Sequence, residues 1–472
     1  MSSSSQHAPS VQSGASLARN GISIPELRAM LKGQVIAPDD AAYDAVRAVY
    51  YRMYDRRPAA IARVADASDV ARVVAYAREH GVELAVRSGG HSAAGHSVSE
   101  GGLVIDLSAM KGLQIDADNR TAWAETGLTA GEYTNAVAAY GLATGFGDTG
   151  SVGIGGITLG GGIGYLVRKY GLTIDSVLAA EIVTADGQIL HVDADNHPDL
   201  FWAIRGGGGN FGVVTRFQFR LHPVDSIVGG MLFLPATADV VREFIALADA
   251  APEELSTIAN VMVAPPMPFI PAEHHGKLVL MAIMAYAGDA EAGARAIAPF
   301  RALATPLADM IRPMRYPEIY PPDDDGFPMS VASRTFFTDS IDQSAAETII
   351  DQLQKASANI ALVHLRVLGG AVARVPVDAT AFAHRTRRIM ANVVALYTNP
   401  AEAAIHEEWV SHLAAALRQG EPAAYVNFMS EDGAERIREA YPGETWNRLT
   451  AIKRRYDPDN LFHLNQNIPP AP

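Results

Sequence analysis

The 472-residue sequence contains no cysteine. That absence excludes disulfides, thiolate metal sites, iron–sulfur clusters and cysteine nucleophiles. Basic residues are outnumbered by acidic ones: the sequence has 38 Lys and Arg against 52 Asp and Glu, so its net charge is −14. Nucleic acids and anionic membranes are bound through cationic surface, so we expect neither as a partner.

Long apolar runs are also missing. The longest, LVLMAIMAYA at 278–287, is far shorter than the about 20 residues that a membrane-spanning helix needs. The first residues, MSSSSQHAPSVQSGAS, lack the charged and apolar segments of a secretory signal, and we interpret residues 1–20 as a disordered leader. We therefore expect a soluble, cytoplasmic protein, and the sequence leaves its oligomeric state open.

Several signatures of catalysis are absent from the sequence. It contains no H-E-x-x-H zinc motif, no G-x-S-x-G nucleophile elbow and no G-x-x-x-x-G-K-[ST] phosphate loop. The adjacent His274 and His275 diverge rather than chelate together, and His91 and His96 lie in a glycine-rich loop without a nearby carboxylate cluster. We therefore predict no metal site.

The length of the chain favours two domains, and its periodicity changes near Ser226. Before that residue, helices and strands alternate. We predict a helix that is capped by Ser68 and ended by Gly81, and a second helix over 129–140. The alternation in TRFQFRL, at 215–221, predicts a strand.

After Ser226, strand patterns and helix patterns follow each other with few glycine clusters. The strands are KLVLMAIMAYA, ALVHLRVLGGAVARV and RIMANVVALYT, and the helices are SAAETIIDQLQKA and AEAAIHEEWVSHLAAALRQ. This order predicts an α+β layer, in which helices cover an antiparallel sheet.

Small residues surround one histidine in the stretch AVRSGGHSAAGHS. Gly89, Gly90 and Ser92 flank His91, so the backbone there can approach a bulky ligand and the imidazole has room to touch it. The alternative is a surface turn with a solvated histidine.

Two further glycine clusters follow. The run SVGIGGITLGGGIGYL, at 151–166, exposes successive peptide N–H groups that suit a pyrophosphate, although a tight structural turn is the alternative. In RGGGGNFGVVT, the glycines 207, 209 and 212 match G-x-G-x-x-G, but a helical pattern precedes them and a strand pattern follows. A nicotinamide-type site requires the opposite order, so we reject it.

The order of these motifs is more specific than any one of them. The chain presents RSGGHS, GLVIDLS, SVGIGGITLGGGIGYLVRKYGLTIDSV, PDLFWAIRGGGGNFGVVT, and finally AYVNF with YDPDNLFHLNQNIPP. This order resembles the berberine-bridge-enzyme-like branch of the vanillyl-alcohol-oxidase superfamily of flavoproteins, and its motifs are also similar to those of the 6-hydroxynicotine-oxidase type. The resemblance implies an α+β fold with a discontinuous PCMH-type FAD-binding domain at 21–225 and 420–472, and a substrate-binding domain at 226–419.

The resemblance also implies how the cofactor is held. The family position of His91 carries FAD covalently at the 8α-methyl group, and many relatives add a second link through a cysteine where this chain has Thr149. A single 8α-N-histidyl link is therefore expected. The other residues implied in FAD binding are Arg87, Ser88, Gly89, Gly90, Ser92, Val152, Gly153, Gly156, Gly161, Gly162, Gly164, Val214, Asn427, Asn465 and Asn467.

Three residues are candidates for catalysis. Tyr425 occupies the family position of an active-site tyrosine and would take the hydroxyl proton of an alcohol substrate. Period two puts His364 and Arg366 on one face of a strand. Relatives use this strand to aim polar residues at the substrate, so the resemblance implies that His364 or Arg366 orients or deprotonates it; the alternative is a solvated outer face. Ile163 stands where several relatives have a pocket tyrosine, which argues against a proton-accepting pair of tyrosines.

The implied function is that of an FAD-dependent oxidase. It would take a hydride from a C–H next to an alcohol or amine of a small-molecule substrate and pass the electrons to O2, giving H2O2, with Val152 leaving room for O2. Two alternatives stay open, a dehydrogenase with another electron acceptor and a non-catalytic flavin-binding protein. The sequence does not name the substrate.

Overall fold

A computed structural model describes residues 21–322, 326–431 and 433–472. The predicted leader at 1–20 lies outside the described residues. Within the described ranges, no helix is both long enough and apolar enough to cross a membrane. Short 3-10 turns occur at Thr173–Ser176, Ala272–His274, Tyr316–Ile319, Pro400–Glu402 and Val426–Phe428.

The first sheet has four short strands in the order β1-β2-β4-β3, and β4 pairs in parallel with both β2 and β3. Its strands are β1 (Gln34–Ile36), β2 (Ala60–Arg63), β3 (Leu84–Arg87) and β4 (Leu103–Asp106), and its helices are α1 (Ile24–Met30), α2 (Tyr43–Arg47) and α3 (Ala67–His80). β3 leads directly into the loop that carries His91.

Helix α3 ends as predicted but begins differently. Gly81 closes it in the left-handed conformation, with φ of 63°. The predicted cap at Ser68 is wrong, because the Asp66 side chain accepts the Asp69 N–H and Ser68 lies inside the helix. Aspartate caps a helix as well as serine does, so the earlier of two suitable residues has taken the position.

The second sheet has five strands in the order β5-β6-β10-β8-β9, all antiparallel. The strands of this region are β5 (Leu113–Asp116), β6 (Thr121–Glu125), β7 (Leu142–Ala143), β8 (Val177–Val183), β9 (Ile189–Asp193), β10 (Val213–Arg220) and β11 (His222–Pro223), and β7 pairs with β11. The helices are α4 (Ala130–Ala138), α5 (Ile154–Leu159), α6 (Val167–Tyr170) and α7 (Pro198–Ala203). Because α7 precedes the glycines at 207–212 and β10 follows them, the predicted helix-to-strand order is confirmed.

The third sheet is antiparallel and follows the path β15-β12-β14-β13-β18-β19-β17, with β16 beside β12. Its strands are β12 (Ser226–Pro235), β13 (Leu255–Val263), β14 (Leu278–Tyr286), β15 (Ala308–Asp309), β16 (Arg312–Arg315), β17 (Ser330–Thr338), β18 (Ile360–Val367) and β19 (Ile389–Tyr397). The helices here are α8 (Ala238–Ala250), α9 (Ala290–Arg301), α10 (Gln343–Lys355), α11 (Ala371–Arg374) and α12 (Ala403–Leu417). The predicted antiparallel sheet with helices is confirmed, but the strand predicted over ALVHLRVLGGAVARV ends at Val367, and Ala371–Arg374 is helical.

Helices cover one face of this third sheet. Phe244 of α8, Ile349 of α10 and Leu413 of α12 form one core with Val363 and Leu365 of β18. Successive strand residues point to opposite faces, so the residues that alternate with Val363 and Leu365 face away from the helices. That second face is the one that forms part of the site described below.

The C-terminal segment returns to the second sheet. Its helices are α13 (Gly433–Ala440) and α14 (Glu444–Tyr456), and their residues Ile437 and Leu449 share a core with Phe217 of β10. The fold is thus the α+β class expected from the sequence. The domain boundaries at 225/226 and 419/420 stay predictions.

Candidate active site

A cavity of about 540 Å³ lies at the junction of these elements, a size typical of small-molecule and cofactor sites. Its wall combines backbone from the glycine loops with side chains from the third sheet. The contributing segments are the loop after β3, the region from Gly147 to Leu159, the loop before β10, the strands β17 to β19, and parts of 425–429 and 462–466.

Two of the glycines on this wall bring two loops together. A Cβ on Gly89 would lie 2.2 Å from the Gly153 nitrogen, and a Cβ on Gly153 would lie 2.2 Å from the Gly89 nitrogen. Ser88 Oγ strengthens the contact by donating to the Thr126 carbonyl at 2.5 Å and accepting from the Gly155 N–H at 3.3 Å. Glycine is therefore required here so that the His91 loop can contact the start of α5.

Other glycines leave the wall open to a ligand. A Cβ on Gly156 or on Gly209 would meet no atom within 4 Å, and both residues line the cavity. Asn465 also lines it, and its Oδ1 is buried without a hydrogen-bond partner. Bare backbone and an unsatisfied buried acceptor suit a large polar molecule such as FAD, so the residues present fit the expected cofactor.

His91 lies on the wall of this cavity and stacks on Tyr50, with ring centroids 4.0 Å apart and planes inclined by 19°. The Tyr50 N–H donates to the Gly90 carbonyl at 3.1 Å, and Tyr54 Oη donates to the Ala93 carbonyl at 2.7 Å. The segment around Tyr50 therefore holds the histidine loop. Sequence analysis missed it, although the aromatic run YYRMY was a visible signal.

Most of the residues singled out from the sequence meet at this cavity. Those on its wall are Ser88, Gly89, Gly90, His91, Ser92, Thr149, Val152, Gly153, Gly156, Val214, His364, Arg366, Tyr425, Asn427 and Asn465. This clustering joins residues that are hundreds of positions apart in the chain.

Five residues expected at the cofactor are not among those that line the cavity: Arg87, Gly161, Gly162, Gly164 and Asn467. The buried Arg87 side chain pairs with Asp106 at 3.2 Å and so links β3 to β4. The Gly162 N–H is taken by the Tyr425 hydroxyl, and a Cβ on Gly164 would lie 1.7 Å from the Phe146 carbonyl oxygen. Asn467 lines a neighbouring pocket beside Trp446.

Tyr425 is buried at the cavity with its hydroxyl oxygen accepting two hydrogen bonds. The Gly162 N–H and the Asn427 Nδ2–H each donate to it at 3.0 Å. Burial raises the pKa of Tyr425 above its usual value of 10.0, and these two donors oppose that rise only in part. The phenol therefore keeps its proton at neutral pH and has that proton available for donation.

Arg366 and His364 face the cavity rather than solvent, and the Arg366 side chain is only 3% exposed. Arg366 forms a short ion pair with Asp148, and it donates from Nη1 to the Ile163 carbonyl and from Nε to His364 Nε2, each at 2.6 Å. The other ring nitrogen of His364, Nδ1, lies 2.8 Å from Asn260 Oδ1. Since Nε2 accepts and Nδ1 donates, His364 is a neutral imidazole with both nitrogens engaged.

The charges in this network are set by burial and by Arg366. Burial, assisted by the charge of Arg366, lowers the pKa of His364 to about 3. Burial is the largest single influence and raises the pKa of Asp148, but the Arg366 charge, its hydrogen bond and the other neighbouring groups together outweigh burial and hold this pKa below its usual value. At neutral pH the network thus contains one anion, one cation and one neutral imidazole.

Sequence analysis missed several residues of the wall, among them Asp148, Tyr51, Phe327 and Asn392. Asn392 was detectable as the one polar side chain within the apolar strand IMANVVALY. Across the described ranges, no group of three or more His, Asp or Glu side chains could hold a metal ion.

The fold and the cavity together define an FAD-linked oxidoreductase. A family model described as "FAD binding domain" matches residues 58–193, and one described as "Berberine and berberine like" matches residues 424–469. The chain is 32% identical over 460 residues to (R)-6-hydroxynicotine oxidase of Paenarthrobacter nicotinovorans, covering 93% of this chain and 97% of that protein. The chain therefore belongs to the berberine-bridge-enzyme-like family of FAD-linked oxidoreductases.

Solved structures of oxidases are also similar to this chain. The crystal structure of 6-hydroxy-D-nicotine oxidase from Arthrobacter nicotinovorans matches with a TM-score of 0.81 at 30% identity, covering 93% of this chain and 98% of that chain. The xylooligosaccharide oxidase from Myceliophthora thermophila, solved in complex with xylobiose, matches with a TM-score of 0.82 at 24% identity, covering 94% and 98%. The second likeness shows the fold alone.

Proposed function

We propose that the protein is an FAD-dependent oxidase in which His91 alone carries the flavin covalently. The substrate is a small alcohol or amine, and the overall reaction converts an alcohol and O2 to a carbonyl compound and H2O2. The observation that carries the proposal is that His91, Tyr425 and Arg366 line one cavity whose wall is bare backbone at Gly156 and Gly209. The relative named (R)-6-hydroxynicotine oxidase supports the assignment to the oxidases.

When FAD is bound, it would supply the acceptor for the substrate's hydride and the route by which both electrons reach O2. The protein's part is to hold the cofactor and to present the substrate. His91 is oriented for attachment by its stack on Tyr50, which restricts rotation of the imidazole. A second, cysteinyl link is chemically impossible because the chain has no cysteine and has Thr149 at that family position.

Tyr425 acts on the proton of the reacting group. Oxidation of an alcohol releases the hydroxyl proton as well as the hydride, and Tyr425 is placed to accept that proton. In the resting site its hydroxyl is protonated, because burial raises its pKa. To take up a proton, as the sequence predicts, Tyr425 must first ionise. The N–H groups of Gly162 and Asn427 stabilise the phenolate when that happens.

Arg366 and His364 orient the substrate. Both nitrogens of His364 are engaged, so this residue positions the Arg366 guanidinium and is not available as a base. Arg366 in turn fixes Asp148, whose side chain is 29% exposed to the cavity. The ion pair presents an ordered set of donors and acceptors to the substrate.

The covalent link is tested by denaturing the purified protein in acid and separating pellet from supernatant. The yellow colour should stay with the pellet in the wild type and pass to the supernatant in His91→Ala. His96→Ala is the matched control in the same loop, and its pellet should stay yellow. A yellow wild-type supernatant would contradict the covalent link, and a colourless protein that FAD cannot reconstitute would contradict the site itself.

The oxidase activity is tested by stopped-flow spectroscopy. The flavin is reduced anaerobically with a panel of alcohols and amines, then mixed with air-saturated buffer, and H2O2 is measured. Reoxidation much faster than that of free reduced flavin supports an oxidase. Reoxidation at the free-flavin rate or slower favours a dehydrogenase, and no reduction by any compound favours a non-catalytic flavin-binding protein.

A further inference from the structure

The cavity-facing side of the third sheet is mainly apolar. Leu362 of β18 pairs across the strands with Val394 of β19, and Leu396 of β19 follows two positions later on the same face. All three line the cavity, as does Val331 of β17. Cross-strand partners and i, i+2 neighbours share a face, so these side chains form one continuous apolar surface.

An aromatic cluster lies on the wall beside His91. Tyr50 and Phe327 have nearly parallel rings, with centroids 6.4 Å apart and planes inclined by 21°, and Tyr51 meets Phe327 edge-on at 6.2 Å. A hydrogen bond of 2.7 Å from the Phe327 N–H to the Tyr50 carbonyl fixes the two segments together. Rigid aromatic rings and aliphatic side chains bind flat apolar molecules well.

Apart from His91, the described residues of the wall carry no net charge. Among its described residues, Asp148 and Arg366 are the only Asp, Glu, Lys or Arg side chains, and they neutralise each other. Burial lowers the pKa of His96 to about 4, and burial together with Arg366 lowers that of His364 to about 3, so both are neutral at pH 7. A charged substrate would lose its hydration here without gaining a counter-ion.

In addition to the Asn465 oxygen, an unsatisfied polar group lies on the sheet side of this wall. Asn392 lies on β19 directly across from His364, and its Oδ1 is buried without a hydrogen-bond partner. A buried acceptor that stays unsatisfied is unfavourable, so a bound molecule that supplies a donor gains free energy at this point. His364 cannot supply one, because Arg366 and Asn260 engage both of its nitrogens.

We propose that Asn392 is a specificity-determining residue, and that it accepts a hydrogen bond from an uncharged, flat aromatic substrate. The body of the substrate contacts the aromatic cluster and the apolar strand surface. Its donor group, an O–H or N–H on the ring, meets Asn392, and the group to be oxidised lies toward Tyr425. This inference rests on the proposed function, since it names the substrate class of the same site.

The test titrates the oxidised, FAD-loaded protein under anaerobic conditions and measures dissociation constants from the change in flavin absorbance. The probes are 4-hydroxybenzyl alcohol, benzyl alcohol, protonated benzylamine and xylobiose. We expect 4-hydroxybenzyl alcohol to bind about tenfold more tightly than benzyl alcohol, the value of one well-made hydrogen bond. Protonated benzylamine and xylobiose should bind more weakly than both.

Asn392→Leu should abolish the preference for the hydroxylated probe and leave the affinity for benzyl alcohol unchanged. Ser333→Ala is the matched control, because Ser333 lies on the same wall but already shares a hydrogen bond with Ser430 at 3.2 Å. It should retain the preference. Equal weakening of both alcohols in Asn392→Leu would show a merely structural role and overturn the assignment.

Two further outcomes separate this inference from the proposed function. Tighter binding of xylobiose or protonated benzylamine, or no response to either aromatic alcohol, overturns the proposed substrate class even when another compound yields H2O2. An Asn392-dependent spectral response without flavin reduction supports the binding inference and contradicts the oxidase function for these compounds.

Discussion

Lys453 and Asp457 form an ion pair beneath the cavity, and neither side chain is exposed to solvent. The Lys453 ammonium donates to Asp457 Oδ2 at 2.7 Å, to the Asn210 carbonyl at 2.7 Å and to the Phe462 carbonyl at 2.9 Å. It thereby ties α14 to the loop before β10 and to the C-terminal loop, both of which line the cavity. Lys453→Met keeps the apolar part of the side chain and removes these three donors.

The expected loss of stability in Lys453→Met follows from the buried groups that the substitution leaves without their partner. Asp457 remains buried with only the N–H groups of Leu461 and Phe462 as donors, at 2.8 and 2.9 Å. The Asn210 carbonyl loses the Lys453 donor, whereas the Phe462 carbonyl keeps a hydrogen bond from Asn465 Nδ2 at 3.0 Å. Removing one member of a buried ion pair costs about 3–5 kcal/mol. That is a large part of the about 5–15 kcal/mol by which folded proteins are stable.

Urea unfolding followed by tryptophan fluorescence measures this loss, since Trp446 lies on α14 with Lys453. The comparison includes Asp457→Asn and the double variant. We expect the double variant to lose about 1–3 kcal/mol less than the sum of the single losses, because it leaves no uncompensated charge. A loss under about 0.5 kcal/mol in Lys453→Met, or strictly additive losses, would refute the reasoning.

In Gly156→Val the new side chain extends into the open cavity, so we expect loss of FAD with unchanged urea unfolding of the apoprotein. In Gly153→Ala the new methyl group meets the backbone of the histidine loop, so we expect a lower free energy of unfolding. The reverse pattern would contradict the cofactor position. Tyr425→Phe removes the hydroxyl that, once ionised, accepts the substrate's proton, and it should slow anaerobic flavin reduction by about 10²-fold or more at unchanged FAD content; an unchanged rate would exclude a role in proton transfer. Acid should destabilise the protein, because burial lowers the pKa of folded His364 to about 3 and that of folded His384 to about 4, whereas both residues have a pKa near 6.5 in the unfolded chain. The unfolded state then binds more protons between about pH 6.5 and pH 4, and each histidine lowers the free energy of unfolding by up to about 1.4 kcal/mol per pH unit as pH falls. Urea midpoints at pH 7.5 and pH 5 measure this, and a midpoint that rises on acidification would count against it.

Local patterns were sufficient for much of the secondary structure. The alternation of Thr215, Phe217 and Phe219 predicted β10, and Gly81 correctly marked the end of α3. Such patterns work because the apolar period and the end signals of an element are encoded within a few residues. The error at Ser68 has the same origin, since Asp66 offers an equivalent capping oxygen two residues earlier.

The sequence by itself determined the class of protein, because the order of its glycine motifs is specific to one family, and its lack of cysteine excluded a second flavin link of the cysteinyl type. Only the tertiary structure decided which face of β18 meets the cavity, since period two separates the faces but does not say which one is solvated. It also brought Asp148 to Arg366 across 218 positions and left the Asn392 oxygen without a partner. A side chain's partner across such a separation depends on how whole sheets and loops pack, and no local pattern carries that information.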